Sequence, residues 1–93
     1  MRAKILLVLK SDNACGYDTV SKLVCARSDA IDDVVNEEIV NILENVDTNK
    51  IIRLVVDFYP HNVKPSFVNE STKTWYIDFH DGHCYKEEHK RKS

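Results

Sequence analysis

The chain opens on Ala3–Lys10, AKILLVLK, an apolar run rich in strand formers and too short for a helix of its own. It predicts a first strand covered on both faces or nearly so. Ser11-Asp12-Asn13-Ala14-Cys15-Gly16 is a run of turn residues that closes it. Over Asp18–Arg27 the apolar residues fall at helical spacing, with Tyr17, Val20, Leu23 and Val24 on the inner side, which predicts a short first helix.

Residues 28–47, SDAIDDVVNEEIVNILENVD, carry the strongest periodicity. Ile31, Val34, Val35, Ile39, Ile42, Leu43 and Val46 make one apolar stripe of a second helix. Ser28 or Asp29 is placed to cap it, and Asp32 and Asp33 lie where the positive end of the helix dipole favours negative charge. Asp47-Thr48-Asn49 ends it. β-Branched residues in the stripe lower intrinsic propensity, so packing must supply much of the stability.

Lys50–Tyr59, KIIRLVVDFY, predicts a strand with Ile52, Leu54, Val56 and Phe58 on one apolar face and a mixed opposite face. Pro60 and Pro65 bracket a loop running to about Thr72. TWYIDFH and HCYKEE then flank Asp81-Gly82, a strong hairpin signature. A two-residue turn pairs His80 with His83, Phe79 with Cys84 and Asp78 with Tyr85. Trp75, Ile77, Phe79 and Cys84 then share the core face.

The expected order is β-α-α-β-β-β, an α/β (α+β) two-layer sandwich. Two helices pack on one face of a four-stranded mixed sheet that ends in a β-hairpin, with a parallel pair formed by a right-handed crossover. Residues 1–88 form one domain, and 89–93 form a flexible basic tail. The uncovered face would show Lys4, Leu6, Val8, Ile51, Val55, Tyr59, Tyr76 and Tyr85, too apolar for water. A second copy is the expected cover, making a homodimer through Leu6, Val8, Val55, Tyr59 and Tyr76.

Composition narrows the classes. Ninety-three residues, 43% hydrophobic and 30% charged with two glycines and two prolines, describe an ordinary soluble domain. The longest apolar run near the start, Ile5–Leu9, is too short for a signal-peptide core or a membrane span, so a cytoplasmic protein is expected. Three cysteines without a CxxC pairing fit free thiols in a reducing compartment. The Asn69-Glu70-Ser71 sequon has no meaning without a secretory route.

The net charge of −2 conceals segregation. The stretch from Lys86 holds four of the thirteen basic residues, while seven of the fifteen acids sit in residues 28–47, which contain no Lys or Arg. Such a face lacks internal i,i+4 ion pairs and offers a field to a basic partner.

Other constellations are weaker. His80, His83 and Asp78 share a face of the hairpin and suit zinc or non-haem iron by type, while Cys84 points away. Cross-strand histidines beside a turn more often are simply exposed polar residues. Cys15 lies before a helix without a base nearby, and Ser11–Gly16 is not a phosphate loop. No catalytic residue, resident metal or cofactor is assigned.

The sequence therefore predicts a small non-enzymatic interaction module. Asp29, Asp32, Asp33, Glu37, Glu38 and Glu44 dock onto a basic partner, in the sharpest form inhibiting a nucleic-acid-binding protein by charge (DNA) mimicry. The first alternative is direct nucleic-acid binding through Tyr59, Tyr76 and Tyr85 with Lys4, Arg53 and the basic tail. The second is a metal-dependent hydrolase using the histidine pair. The identity of the partner and the strand order leave no trace in the sequence.

Overall fold

The computed structural model describes residues 1–11, 16–61, 71–80 and 83–90. Strands β1 (Arg2–Lys10) and β2 (Tyr17–Cys25) are followed by helix α1 (Ile31–Asn45), a 3₁₀ turn over Thr48–Lys50, and strands β3 (Ile51–Tyr59), β4 (Lys73–His80) and β5 (His83–Lys90). All five strands form one antiparallel sheet in the order β2-β1-β3-β4-β5. The fold is α+β, with one helix over one face of the sheet.

Strand alternation decides which face becomes the core. Ala3, Ile5 and Leu7 of β1 lie opposite Phe58, Val56 and Leu54 of β3, and Trp75 and Ile77 of β4 extend the same face. All eight are buried. Helix α1 packs on them, and every member of its predicted stripe either belongs to this cluster or packs against it. Phe58 and Trp75 meet edge to face with ring centroids 4.6 Å apart, a favoured aromatic geometry.

The segment expected to be the first helix is strand β2. Tyr17, Asp18, Thr19, Val20, Ser21, Val24 and Cys25 are weak helix formers, and the turn before them returns the chain against β1. β2 pairs with β1 along its whole length, from Lys10↔Tyr17 to Arg2↔Cys25. Of the residues assigned to its inner side, only Val24 is buried, while Tyr17, Val20 and Leu23 are exposed. An edge strand with only Val24 buried is held to no strict period of two, so its apolar spacing at 17, 20, 23 and 24 imitated a helix.

This correction also changes the sheet from four mixed strands to five antiparallel ones. The crossover leaves from β2 rather than β1, so the parallel strands it joins are β2 and β3, with β1 antiparallel between them. Parallel strands still need the long helical connection.

Smaller departures have local causes. The N-cap of α1 is Ala30, with no side-chain cap; neither Ser28 nor Asp29 fills that role. Instead the Arg27 carbonyl accepts from the Ala30 and Ile31 N–H groups at 2.9 and 2.8 Å. A register shift after Val8 pairs Leu9 with Ile51. That bulge turns Ile51 into the core, where Ile52 was expected, and leaves Ile52 half-buried.

The hairpin pairs His80 with His83, Phe79 with Cys84 and Asp78 with Tyr85, as its sequence predicts, and continues to Lys73↔Lys90. Cys84 lies on the helix side yet is exposed, because β5 is the edge strand farthest from α1. Strand β5 runs to Lys90, past the expected domain end at 88. The turn residues 12–15 and 81–82, most of the 60–72 loop and residues 91–93 lie outside the described residues. So does Cys15; Cys25 and Cys84 are free thiols. No helix among the described residues is long and apolar enough to cross a membrane.

Leu54→Ala, at a fully buried site under α1, is expected to cost about 2–5 kcal/mol by urea denaturation. Val20→Ala, on the exposed edge, should stay within about 0.5 kcal/mol at low protein concentration.

Candidate functional site

A helix turns about 100° per residue, so the carboxylates of α1 are sorted by angle. Asp33, Glu37, Val40 and Glu44 fall within about 60° of arc, opposite the buried Ile31, Val35 and Ile39. Asp32 and Glu38 fall on the two flanks of the buried stripe. The two sets have different fates.

The flanking carboxylates are tied to the sheet. Lys73 of β4 donates to both Asp32 oxygens at 2.9 and 3.0 Å, with its ammonium 4.6 Å from the Phe58 ring centre. Lys22 of β2 pairs with Glu38 on the other side. The helix is therefore fastened to β4 near its N-terminus and to β2 near its middle. These lysines supply from the sheet the compensation that the helix sequence lacks.

The outer set is unpaired. Asp33, Glu37 and Glu44 are exposed and make no ion pair among the described residues. Val40, 52% exposed, sits among them as a large apolar side chain on an anionic ridge. Asp29 meets Arg27 at 3.4 Å with both groups exposed, a contact worth little in water. Asp47 accepts from the Asn49 N–H at 3.0 Å and caps the 3₁₀ turn. Of the six carboxylates predicted to dock a partner, Asp32 and Glu38 are thus occupied by fold contacts. Asp33, Glu37 and Glu44 form a ridge, and Asp29 stands at its N-terminal end.

The Lys73 contact continues into β5. Glu88 accepts from the Trp75 indole N–H at 2.8 Å and lies 3.7 Å from Lys73, while the Lys86 ammonium sits 3.3 Å from the Trp75 ring centre. Sequence patterning missed this group because the hairpin reading assigned no side-chain contact to Lys86 or Glu88. The Trp75 indole holds the Glu88 carboxyl below the usual carboxylate range; partial burial opposes this and Lys73 and Lys90 reinforce it.

On the opposite sheet face, Tyr59 departs from expectation. Tyr59 is 1% exposed, so it is already buried within the chain. Leu6, Val8, Val55 and Tyr76 are half-buried, and Tyr76 meets His89 edge-on at 5.1 Å. Arg53 pairs with Asp78 at 3.3 Å. Of the large exposed apolar residues, Tyr17, Leu23 and Tyr85 lie on this face by register, whereas Val20 lies on the helix side of the sheet and Val40 on α1. Asp78, the carboxylate of the weak metal set, is engaged by Arg53, and the side chains of His80 and His83 lie outside the described residues. No group of three potential metal ligands occurs among the described residues.

The lowered Glu88 pKa means that its contribution to stability is present above the unfolded value, about 4.3, and is lost as pH falls through the lower folded value. A denaturation series from pH 6 downward should therefore show stability falling below about pH 4.3. Glu88→Gln should flatten that part of the profile.

Comparison with known proteins finds no family model, no curated protein and no solved structure that matches the chain.

Proposed function

We propose that the protein is a non-enzymatic binding module that docks the outer ridge of α1 onto a basic patch of another protein. The observation carrying this reading is the division of labour among the helix acids. Those flanking the core are neutralised by Lys22 and Lys73, whereas Asp33, Glu37 and Glu44 are aligned outward and left unpaired among the described residues. Unpaired like charges on one face cost self-repulsion that a basic partner relieves. Val40, among those charges, supplies an apolar contact that becomes dry at the centre of such an interface.

Charge density limits the sharper form of the idea, in which the ridge occupies a nucleic-acid-binding surface. From Asp33 to Glu44 the helix rises about 16 Å and offers three carboxylates. Duplex DNA presents about ten charges over that length. The ridge therefore fits a compact cluster of two or three Lys or Arg better than a long phosphate-tracking groove. Direct nucleic-acid binding through the sheet draws less support, since Tyr59 is buried and Arg53 is paired with Asp78.

The test compares immobilised wild type with Asp33→Lys/Glu37→Lys/Glu44→Lys, using the cation-exchange-retained fraction of a cell extract as the probe. Wild type should retain a basic protein at low salt and release it as salt rises, and the triple variant should lose it while keeping the wild-type melting curve. Equal retention by both would overturn the reading. Tight binding of a single-stranded oligonucleotide by wild type, measured by fluorescence anisotropy, would transfer the case to the sheet.

A further inference from the structure

The two edges of the sheet are built differently. β5 carries Lys86, Glu87, Glu88, His89 and Lys90 in eight residues, the charged composition that discourages edge-to-edge pairing. β2, the other edge, is nine residues long, keeps an unbroken register against β1, and has neither proline nor bulge. Three of the five large apolar side chains exposed among the described residues belong to it: Tyr17 at 73%, Val20 at 55% and Leu23 at 56%. A long, regular, apolar edge is a template for another strand.

The hydrogen bonds at its ends tell which of its backbone groups point away from β1. Just beyond the strands, the Ser11 N–H donates to the Gly16 carbonyl at 3.1 Å and the Ala26 N–H donates to the Met1 carbonyl at 3.0 Å. In an antiparallel ladder, residues alternate between bonding toward one neighbour and the other. Even-numbered residues of β2 thus bond inward to β1. Tyr17, Thr19, Ser21, Leu23 and Cys25 direct their N–H and C=O groups out of the sheet.

We propose that β2 pairs antiparallel with β2 of a second copy of this chain, about a two-fold axis at Ser21, giving a continuous ten-stranded sheet. The strand is self-complementary in this register. Its outward-bonding residues meet each other, Ser21 with the partner's Ser21, Thr19 with the partner's Leu23 and Tyr17 with the partner's Cys25. That alignment overlaps all nine residues and forms about ten main-chain hydrogen bonds, the number a typical stable interface carries. On the helix side, Val20 faces the aliphatic stem of the partner's Lys22 and lies diagonal to the partner's Val20 and the partner's Val24. Asp18 lies diagonal to the partner's Lys22, which each copy also pairs with its own Glu38, so opposite charges alternate across the seam, twice by symmetry. The contact is isologous and closes, and the charged β5 edges stop further growth.

This interface differs from the sheet-face dimer that the sequence suggested, and it does not depend on the docking function of α1. The partner strand also lies beside the groove of about 290 Å³ between α1 and β2, lined by Ile5, Leu7, Val20, Ile42 and Val46.

Sedimentation and light scattering on the full chain test it, with three variants. Wild type should have twice the 10.8 kDa chain mass at about 0.1 mM. Val20→Lys sets like charges against the partner's Lys22 and should raise the dimer dissociation constant at least tenfold. Val20→Glu reverses that sign and should keep the dimer. Ser21→Pro removes an outward N–H without touching the inward ladder and should give a monomer. Circular dichroism melts confirm folding of each; Val20→Lys decides the matter should Ser21→Pro not fold. A monomeric wild type overturns the proposal, including one whose β2 edge instead takes up a foreign peptide strand. A dimer that survives Val20→Lys, or one that Val20→Glu also abolishes, overturns it too.

Discussion

The packing of one helix stripe against the β1–β3 face is the constraint on which the rest of the molecule depends. Among the described residues, Ile31, Val35 and Ile39 bury against this sheet face, and no second helix covers Leu54, Val56 and Phe58. A single helix is about 10–12 Å wide, whereas five strands at about 4.8 Å make a sheet roughly twice that. One helix therefore covers the central strands and leaves both flanks short of cover. Long amphipathic side chains fill the difference on the β4–β5 side, where Lys73 and Lys86 lay their stems and charges across Phe58 and Trp75. On the β2 side nothing comparable is present among the described residues except the Lys22–Glu38 pair, and there Val20 stays exposed.

The same geometry sorts the helix charges. Lysines on the sheet reach only those acids that lie beside the buried stripe, so Asp32 and Glu38 become part of the fold. Asp33, Glu37 and Glu44 lie beyond their reach. The Asp32–Lys73 pair, with the lysine only 19% exposed, gains more from its surroundings than the exposed Arg27–Asp29 contact, though the desolvation cost of a part-buried lysine offsets part of that. One sequence block thus supplies both structural anchors and an outward field.

Much of this was legible in the sequence where two signals agreed. The α1 stripe was readable because seven apolar residues keep one phase across four turns, whereas its start was not, the cap being Ala30 rather than Ser28 or Asp29. The β4–β5 register followed from Asp-Gly between alternating runs. Tyr17–Cys25 imitates a helix because this edge strand buries only Val24, so its side chains are held to no strict period and its identity rests on pairing with β1. Which acids would be neutralised was likewise beyond a linear reading: Lys22 and Lys73 stand 16 and 41 residues from their partners. Tyr59 shows the same limit, since alternation placed it on an open face and tertiary packing buried it.

Two copies joined along β2 would bring two acidic helices to one side of a shared sheet, and their repulsion must be weighed against the pairing. A two-fold axis normal to the sheet relates the helices, each lying over strands one or more removed from the seam. At about 4.8 Å per strand the axes stand roughly 15–20 Å apart. That exceeds the Debye length of about 8 Å at physiological ionic strength, so the outward ridges repel weakly there. At about 0.01 M salt the screening length grows to about 30 Å and the repulsion reaches across the seam. Main-chain hydrogen bonds and apolar contact at β2 are insensitive to that change, whereas attraction of a basic partner strengthens with it. Low salt thus favours docking on the ridges while loosening the pairing, so the two surfaces respond to ionic strength in opposite directions.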